Sequence, residues 1–222
     1  MTVKEIDLPP YTRRQEWWNM LSHAFGVIFS LVGGIFLLIK ASYTGDAWRI
    51  VTSAVFMFSL LVLYTISSVY HGLYRNNGKR VLRVLDHDMV FFLIMGTYTP
   101  YCLVTLREYS PGWGYSIWGI VMVLGIVGIV LNSCNIKKFF IFSMVDYLLM
   151  GWCVIISMYP LLMSLGWWMG TFLLLMGGVS YTVGAVLYAV GKKKSPWFHT
   201  VFHFFVLLGT ILMFFSIYFY VV

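Results

Sequence analysis

The chain has 222 residues, 60% of them hydrophobic and 10% charged, with a formal net charge of +7. A soluble domain of this length cannot bury so large an apolar fraction, so lipid has to be the solvent for most of it. The positive balance does not indicate nucleic acid, because the cations stand in short clusters beside apolar runs, where topology determinants stand.

Residues 1–16 form a polar tail with Lys4, Glu5, Asp7, Pro9, Pro10, Arg13, Arg14 and Glu16. It lacks the apolar core of a signal peptide, so the first helix is expected to act as a signal anchor. Residues 17–222 read as one membrane domain without an internal repeat. Runs long enough to cross a ~30 Å hydrocarbon core are expected near 17–39, 49–72, 85–106, 114–134, 139–160, 167–190 and 197–221. The links between them are Lys40–Arg49, Arg75–Arg83, Arg107–Gly112, Asn135–Lys138, a tight turn at Ser164–Gly166, and Gly191–Pro196. The expected fold is therefore an all-α integral membrane protein, a seven-transmembrane helix bundle.

Charge sets the expected orientation. With the N-terminus in the cytosol, inner segments carry Lys4, Arg13, Arg14, Arg75, Lys79, Arg80, Arg83, Lys137, Lys138, Lys192, Lys193 and Lys194. Outer segments carry only Lys40, Arg49 and Arg107. This asymmetry follows the positive-inside rule and puts the C-terminus outside, in a multi-pass protein of the inner or plasma membrane. Trp17, Trp18 and Trp197 mark one interface, and Trp48, Trp113, Trp167 and Trp168 the other. Cys102, Cys134 and Cys153 show no CxxC spacing and read as packing residues.

With that orientation all five histidines, His23, His71, His87, His199 and His203, fall in the cytosolic third of the bundle. Polar side chains gathered at one membrane depth are costly and point to a site. His199 and His203 at i, i+4 share a helical face just after Ser195-Pro196, the expected N-cap and first helical position. HxxxH alone is a weak signal, since helix-end histidines also snorkel to headgroups. His71 adds a third imidazole from another helix, with Ser67 one turn behind it. Three histidines at matching depth resemble the arrangement of a catalytic zinc site.

Asp86, His87 and Asp88 open the expected third helix. Carboxylates there serve as caps, and the one facing inward can hold a water or act as general base. Glu16, Asn19 and His23 lie on one stripe of the first helix. They line a polar crevice or, alternatively, bond phospholipid headgroups. Asp146 is alone in the fifth span, where a carboxylate has to be protonated or partnered, and no role is assigned to it. Pro100 is expected to kink the third helix.

Glu16…Asn19…Ser22-His23, Ser67…His71, Leu85-Asp86, Met95-Gly-Thr-Tyr-Thr-Pro100, Met150-Gly-Trp152 and His199-xxx-His203 together resemble the haemolysin III family. That family is the bacterial branch of the progestin and adipoQ receptor superfamily, more distantly related to alkaline ceramidases. The resemblance runs from about residue 12 to the end. It implies a seven-helix bundle with an inside N-terminus and a cytosol-facing zinc ion on His71, His199 and His203. Asp86 would hydrogen-bond a zinc-bound water with Ser67 beside it, and His87 follows the bacterial form of the motif.

The function expected on these grounds is zinc-dependent hydrolysis of a lipid amide or acyl bond, with Asp86 and Ser67 as catalytic groups. The alternatives are a non-enzymatic sensor or regulator with structural zinc, and a haemolytic or channel-like activity. Seven committed spans argue against a released pore-former, and no inverted repeat supports a transporter. The expected partners are membrane lipids, including a lipid substrate within the bundle, and not nucleic acid.

Overall fold

A computed structural model of the protein describes residues 2–165 and 169–222. Seven long helices dominate them: α1 (Arg13–Tyr43), α2 (Ala47–Gly72), α3 (Asn77–Tyr109), α4 (Pro111–Cys134), α5 (Phe140–Leu165), α6 (Thr171–Gly191) and α7 (Trp197–Tyr220). They contain 21 to 33 residues each, so at 1.5 Å per residue every one exceeds the ~30 Å core. The chain is a multi-pass integral membrane protein.

Short polar side chains start these helices. Thr12 forms a capping box with Gln15 at α1. Asp46 accepts from the Trp48 amide at α2, and Asn76 from the Lys79 amide at α3. Pro111 opens α4. At α7 the register differs by one from the expected cap: Pro196 is the N-cap, and Ser195 Oγ accepts from the Trp197 amide at 3.4 Å.

The largest departure from expectation is the start of α3. It begins at Asn77, eight residues before Leu85, because the charged stretch after Asn76 is helical rather than a link. Asp86 and Asp88 consequently lie well inside the helix, and neither caps it. Asp88 is instead tied to α4, accepting from Asn132 Nδ2 at 2.7 Å and Ser133 Oγ at 2.6 Å. At Pro100 the helix passes into a π-helical stretch, Tyr101–Leu106. The wider turn accommodates a residue that has no N–H and crowds the preceding carbonyl.

Sequential helices pack against one another, and α7 returns to α1 and closes the ring. α3 is the most buried of the seven. Close approach uses small residues: Gly26 lies flat against the ring of Tyr64, where a Cβ would come within 2.4 Å. The Tyr64 hydroxyl, fully buried, donates to Thr210 at 2.8 Å and so links α2 to α7.

The two ends of the bundle use their cations differently. At one end Lys40 donates to the Tyr218 carbonyl and Arg49 to the Val221 carbonyl. These bonds satisfy the C-terminal carbonyls of α7. Arg107 lies 4.5 Å over the Trp48 ring. At the other end, called here the basic end, the arginines of α3 and its preceding loop fasten the N-terminal tail. Arg75 donates to the Pro9 and Leu8 carbonyls at 2.9 and 3.1 Å. Arg80 reaches the Lys4 and Ile6 carbonyls, and Arg83 that of Asp7. With Ile6 and Leu8 buried, residues 2–12 lie across the basic end as a strap.

Trp17, Trp18 and Trp197 are exposed at the basic end, and Trp48 and Trp113 at the other. Trp167 and Trp168, with the Gly166 end of the expected turn, lie outside the described residues. Cys102 is buried, Cys153 half-buried and Cys134 exposed. Cys134 is thus no packing residue, since the end of α4 has no neighbour on that face.

Candidate metal centre

Four helices converge just beneath the strap. α2 supplies His71 in its last turn, α7 supplies His199 and His203 in its first two turns, and α1 and α3 supply what surrounds them. All three imidazoles are buried. His199 Nε2 lies 3.2 Å from His71 Nε2 and 3.1 Å from His203 Nε2. One ligand atom from each residue falls within a cluster 4.8 Å across.

The neighbours decide which nitrogen carries the proton. His71 Nδ1 lies 2.6 Å from Glu16 Oε2, and a carboxylate only accepts, so the proton is on Nδ1. His203 Nδ1 lies 3.2 Å from the Asn19 carbonyl, again an acceptor. Both rings therefore present Nε2 lone pairs to the same small space. His199 can place one proton between them at most, so lone pairs face each other without enough hydrogens. A cation among the three nitrogens resolves this, and the trio can hold a metal ion.

The supporting shell comes largely from α1. Glu16 bridges His71 and Lys79, its Oε1 lying 2.7 Å from the Lys79 ammonium. Lys79 is only 2% exposed and also donates to the Leu73 carbonyl at 2.9 Å. Asn19 accepts from Thr200 Oγ1 at 2.6 Å through its side chain while its carbonyl holds His203. Ser22 Oγ stands 3.3 Å from His203 Nδ1, and the His23 ring stacks on that of His203 at 3.7 Å. The stripe expected on α1 thus lines a buried crevice, and its headgroup alternative does not apply. Carboxylate and carbonyl partners of this kind fix the tautomer and ring plane of a ligating histidine.

Asp86 and His87 enter from α3. With His23, His199, His203 and Tyr188 they line a cavity of about 40 Å³, room for more than one water-sized occupant. Ser67, fully buried on α2, is close enough to interact with the Asp86 carboxylate. It falls short of ordinary hydrogen-bond geometry, which leaves its Oγ free. His23 likewise has both ring nitrogens unpaired. His87 is outside the trio; its carbonyl accepts from Tyr147 at 2.8 Å. Asp146 is remote from the trio's contacts, buried, with Oδ2 unpartnered.

Sequence reasoning missed Tyr11, Lys79 and Thr200. Tyr11, from the strap, stacks on His199 with ring centroids 5.2 Å apart and an interplanar angle of 11°. Burial, with Tyr188 and Tyr70 nearby, pushes its hydroxyl well above the usual range, so it stays neutral. Lys79 was counted only as a topology charge. Thr200 sits inside the HxxxH motif, but nothing in its spacing reveals a partner on α1.

The comparisons with known proteins cover nearly the whole chain. A family model described as "Haemolysin-III related" matches residues 11–214. The chain is 38% identical to "Hemolysin-3 homolog" of Bacillus subtilis (strain 168) over 212 residues, covering 96% of this chain and 97% of that protein. It is 36% identical to "Hemolysin-3" of Bacillus cereus over 221 residues, covering 100% and 98%. With three histidines gathered at one end of a seven-helix membrane bundle, the chain belongs to the haemolysin-III related family.

Proposed function

We propose that this protein is a zinc-dependent hydrolase of a lipid amide or acyl bond, with its site facing the cytosol. The observation that carries the reading is the convergence of three Nε2 lone pairs beside a cavity that Asp86 shares. Tetrahedral zinc with Zn–N near 2.0–2.1 Å requires ligand nitrogens about 3.3–3.4 Å apart. His199 Nε2 stands 3.2 and 3.1 Å from the other two nitrogens, close to that spacing, and one ligand atom from each of the three lies within 4.8 Å of the others. An all-imidazole set on three side chains leaves a coordination position open, as catalytic zinc requires. The distribution of cations supports a cytosolic basic end.

Zinc held by His71, His199 and His203 would supply Lewis acidity and bring the ionisation of water toward neutral pH. The remaining roles fall to the chain. Asp86 takes the proton from the attacking water and delivers it to the leaving group. Ser67, whose hydroxyl is unengaged, donates to the oxygen of the carbonyl under attack. Glu16 and the Asn19 carbonyl hold His71 and His203 in plane, and the strap excludes bulk water.

An apolar interior next to the histidines supports a lipid substrate. Val90, Tyr147, Phe202 and Val206 wall both the polar cavity and a narrow apolar one of about 90 Å³ deeper in the bundle. Tyr98, Trp152 and Met213 continue that space toward the opposite end. The small cavity beside the histidines thus shares its walls with apolar space that runs deeper into the bundle.

The test is release of free fatty acid from a panel of ceramides and acyl lipids by purified zinc-loaded protein, with His199→Ala as the blank. Asp86→Asn should keep zinc and lower turnover about 10²–10⁴-fold. A second reading, a sensor with structural zinc, is favoured by the closure of the site under Tyr11 and the strap. Zinc-replete, folded protein that cleaves nothing on the panel overturns the hydrolase and leaves the sensor.

A further inference from the structure

The bundle has a second concave site at the basic end, which no histidine lines, although the space beside it, sharing Asp7, Arg83, Phe140, Lys192 and Lys193, reaches His199. Between the basic-end halves of α5 and α6 runs a groove of about 580 Å³, within the usual size of ligand sites. Its deeper walls are apolar, formed by Ile141, Met144, Val145, Leu148, Val186 and Ala189. Its rim carries five cations, Arg83, Lys137, Lys138, Lys192 and Lys193, against two carboxylates, Glu5 and Asp7. The only ion pair between these sets joins Lys137 to Asp7 at 3.2 Å, and both side chains are more than two-thirds exposed.

Charge at the rim is poorly compensated. Lys192 rests 3.0 Å above the Phe140 ring, partly sheltered, with no carboxylate partner among the described residues. Burial, then Lys193 and Arg83, depress its affinity for a proton. An anion placed between these side chains relieves that repulsion. Free inorganic phosphate would satisfy the rim and leave the apolar walls below it unused.

We propose that the α5–α6 groove binds one anionic glycerophospholipid of the cytosolic leaflet. Its phosphate lies among Arg83, Lys137, Lys192 and Lys193, and an acyl chain descends between Ile141, Val145 and Val186. Basic pockets between helices at the cytosolic face suit such headgroups. The proposal rests on the cytosolic placement of the basic end but not on metal binding or hydrolysis. Because Asp7 competes for Lys137, lipid phosphate and strap carboxylate share one rim.

Native mass spectrometry of the purified full chain, titrated with dioleoyl phosphatidylglycerol or dioleoyl phosphatidylcholine, tests it. One phosphatidylglycerol adduct should form in preference to phosphatidylcholine. Lys192→Gln with Lys193→Gln should weaken it about 20–30-fold, each lysine contributing roughly fivefold. Lys4→Gln with Lys194→Gln, the same charge change at the same end but outside the groove, should leave it within about twofold. Val145→Trp, which fills the wall without touching charge, should also weaken it. His199→Ala should retain the adduct, since the groove does not use the histidines. Equal binding of the two lipids, equal loss in both double variants, an indifferent Val145→Trp, or loss of the adduct in His199→Ala would each overturn the proposal.

Discussion

Glu16→Gln is the sharpest test of how α1 supports the candidate metal centre. Glu16 accepts from His71 Nδ1 at 2.6 Å and pairs with Lys79 at 2.7 Å. The amide can still accept one hydrogen bond, but it removes the charge that makes His71 a stronger donor at Nε2. Loss of such a partner typically weakens metal binding 10–100-fold, about 1.4–2.8 kcal/mol. The substitution also strands Lys79, which is 2% exposed. Breaking a buried pair costs about 3–5 kcal/mol, and the retained Leu73 carbonyl puts this case near 3. The two effects are separable. Adding Lys79→Met to Glu16→Gln removes the stranded charge and should recover most of the stability, while zinc affinity stays low. Competition against a chromophoric chelator reads affinity, and thermal unfolding of metal-free protein in detergent reads stability. Wild-type zinc affinity in Glu16→Gln would refute the assignment of Nε2 of His71 as a ligand held by Glu16.

His203→Ala should lose most bound zinc in elemental analysis while His87→Ala keeps it; full occupancy in His203→Ala would sink the three-histidine site. Deleting residues 2–11 should speed metal removal by a chelator, because it takes away Tyr11 and opens the basic end; unchanged stripping kinetics would show that the strap does not cover the site. Gly26→Ala should destabilise the bundle by about 1–3 kcal/mol, because the new methyl meets the fixed Tyr64 ring; an unchanged melting temperature would count against that packing. A reporter fused after Val222 should be active only if it works outside the cytosol, and one inserted at Lys193 only if it works inside; the reverse pattern would invert the bundle.

What the sequence by itself determined was whatever depends on neighbours along the chain. Apolar runs set the seven spans because burial of a helix in lipid is decided by its own side chains. Helical spacing put His199 and His203 on one face, and Glu16, Asn19 and His23 on another. Depth matched His71 to them. The start of α3 was hidden because Lys79, Arg80 and Arg83 read as a polar link. Only tertiary contacts show them to be neutralised: Lys79 by Glu16, Arg80 and Arg83 by carbonyls of the strap. The same error suggested that one of Asp86 and Asp88 caps the helix, and neither does. The histidine cluster itself was decided across long separations, 55 residues from Glu16 to His71 and 181 from Asn19 to Thr200. Hydropathy fixes each helix's depth but not its rotation about its own axis. Rotation comes from packing, with Gly26 seated on Tyr64 and α7 closing on α1, and it is rotation that turns three histidines at one depth toward one point.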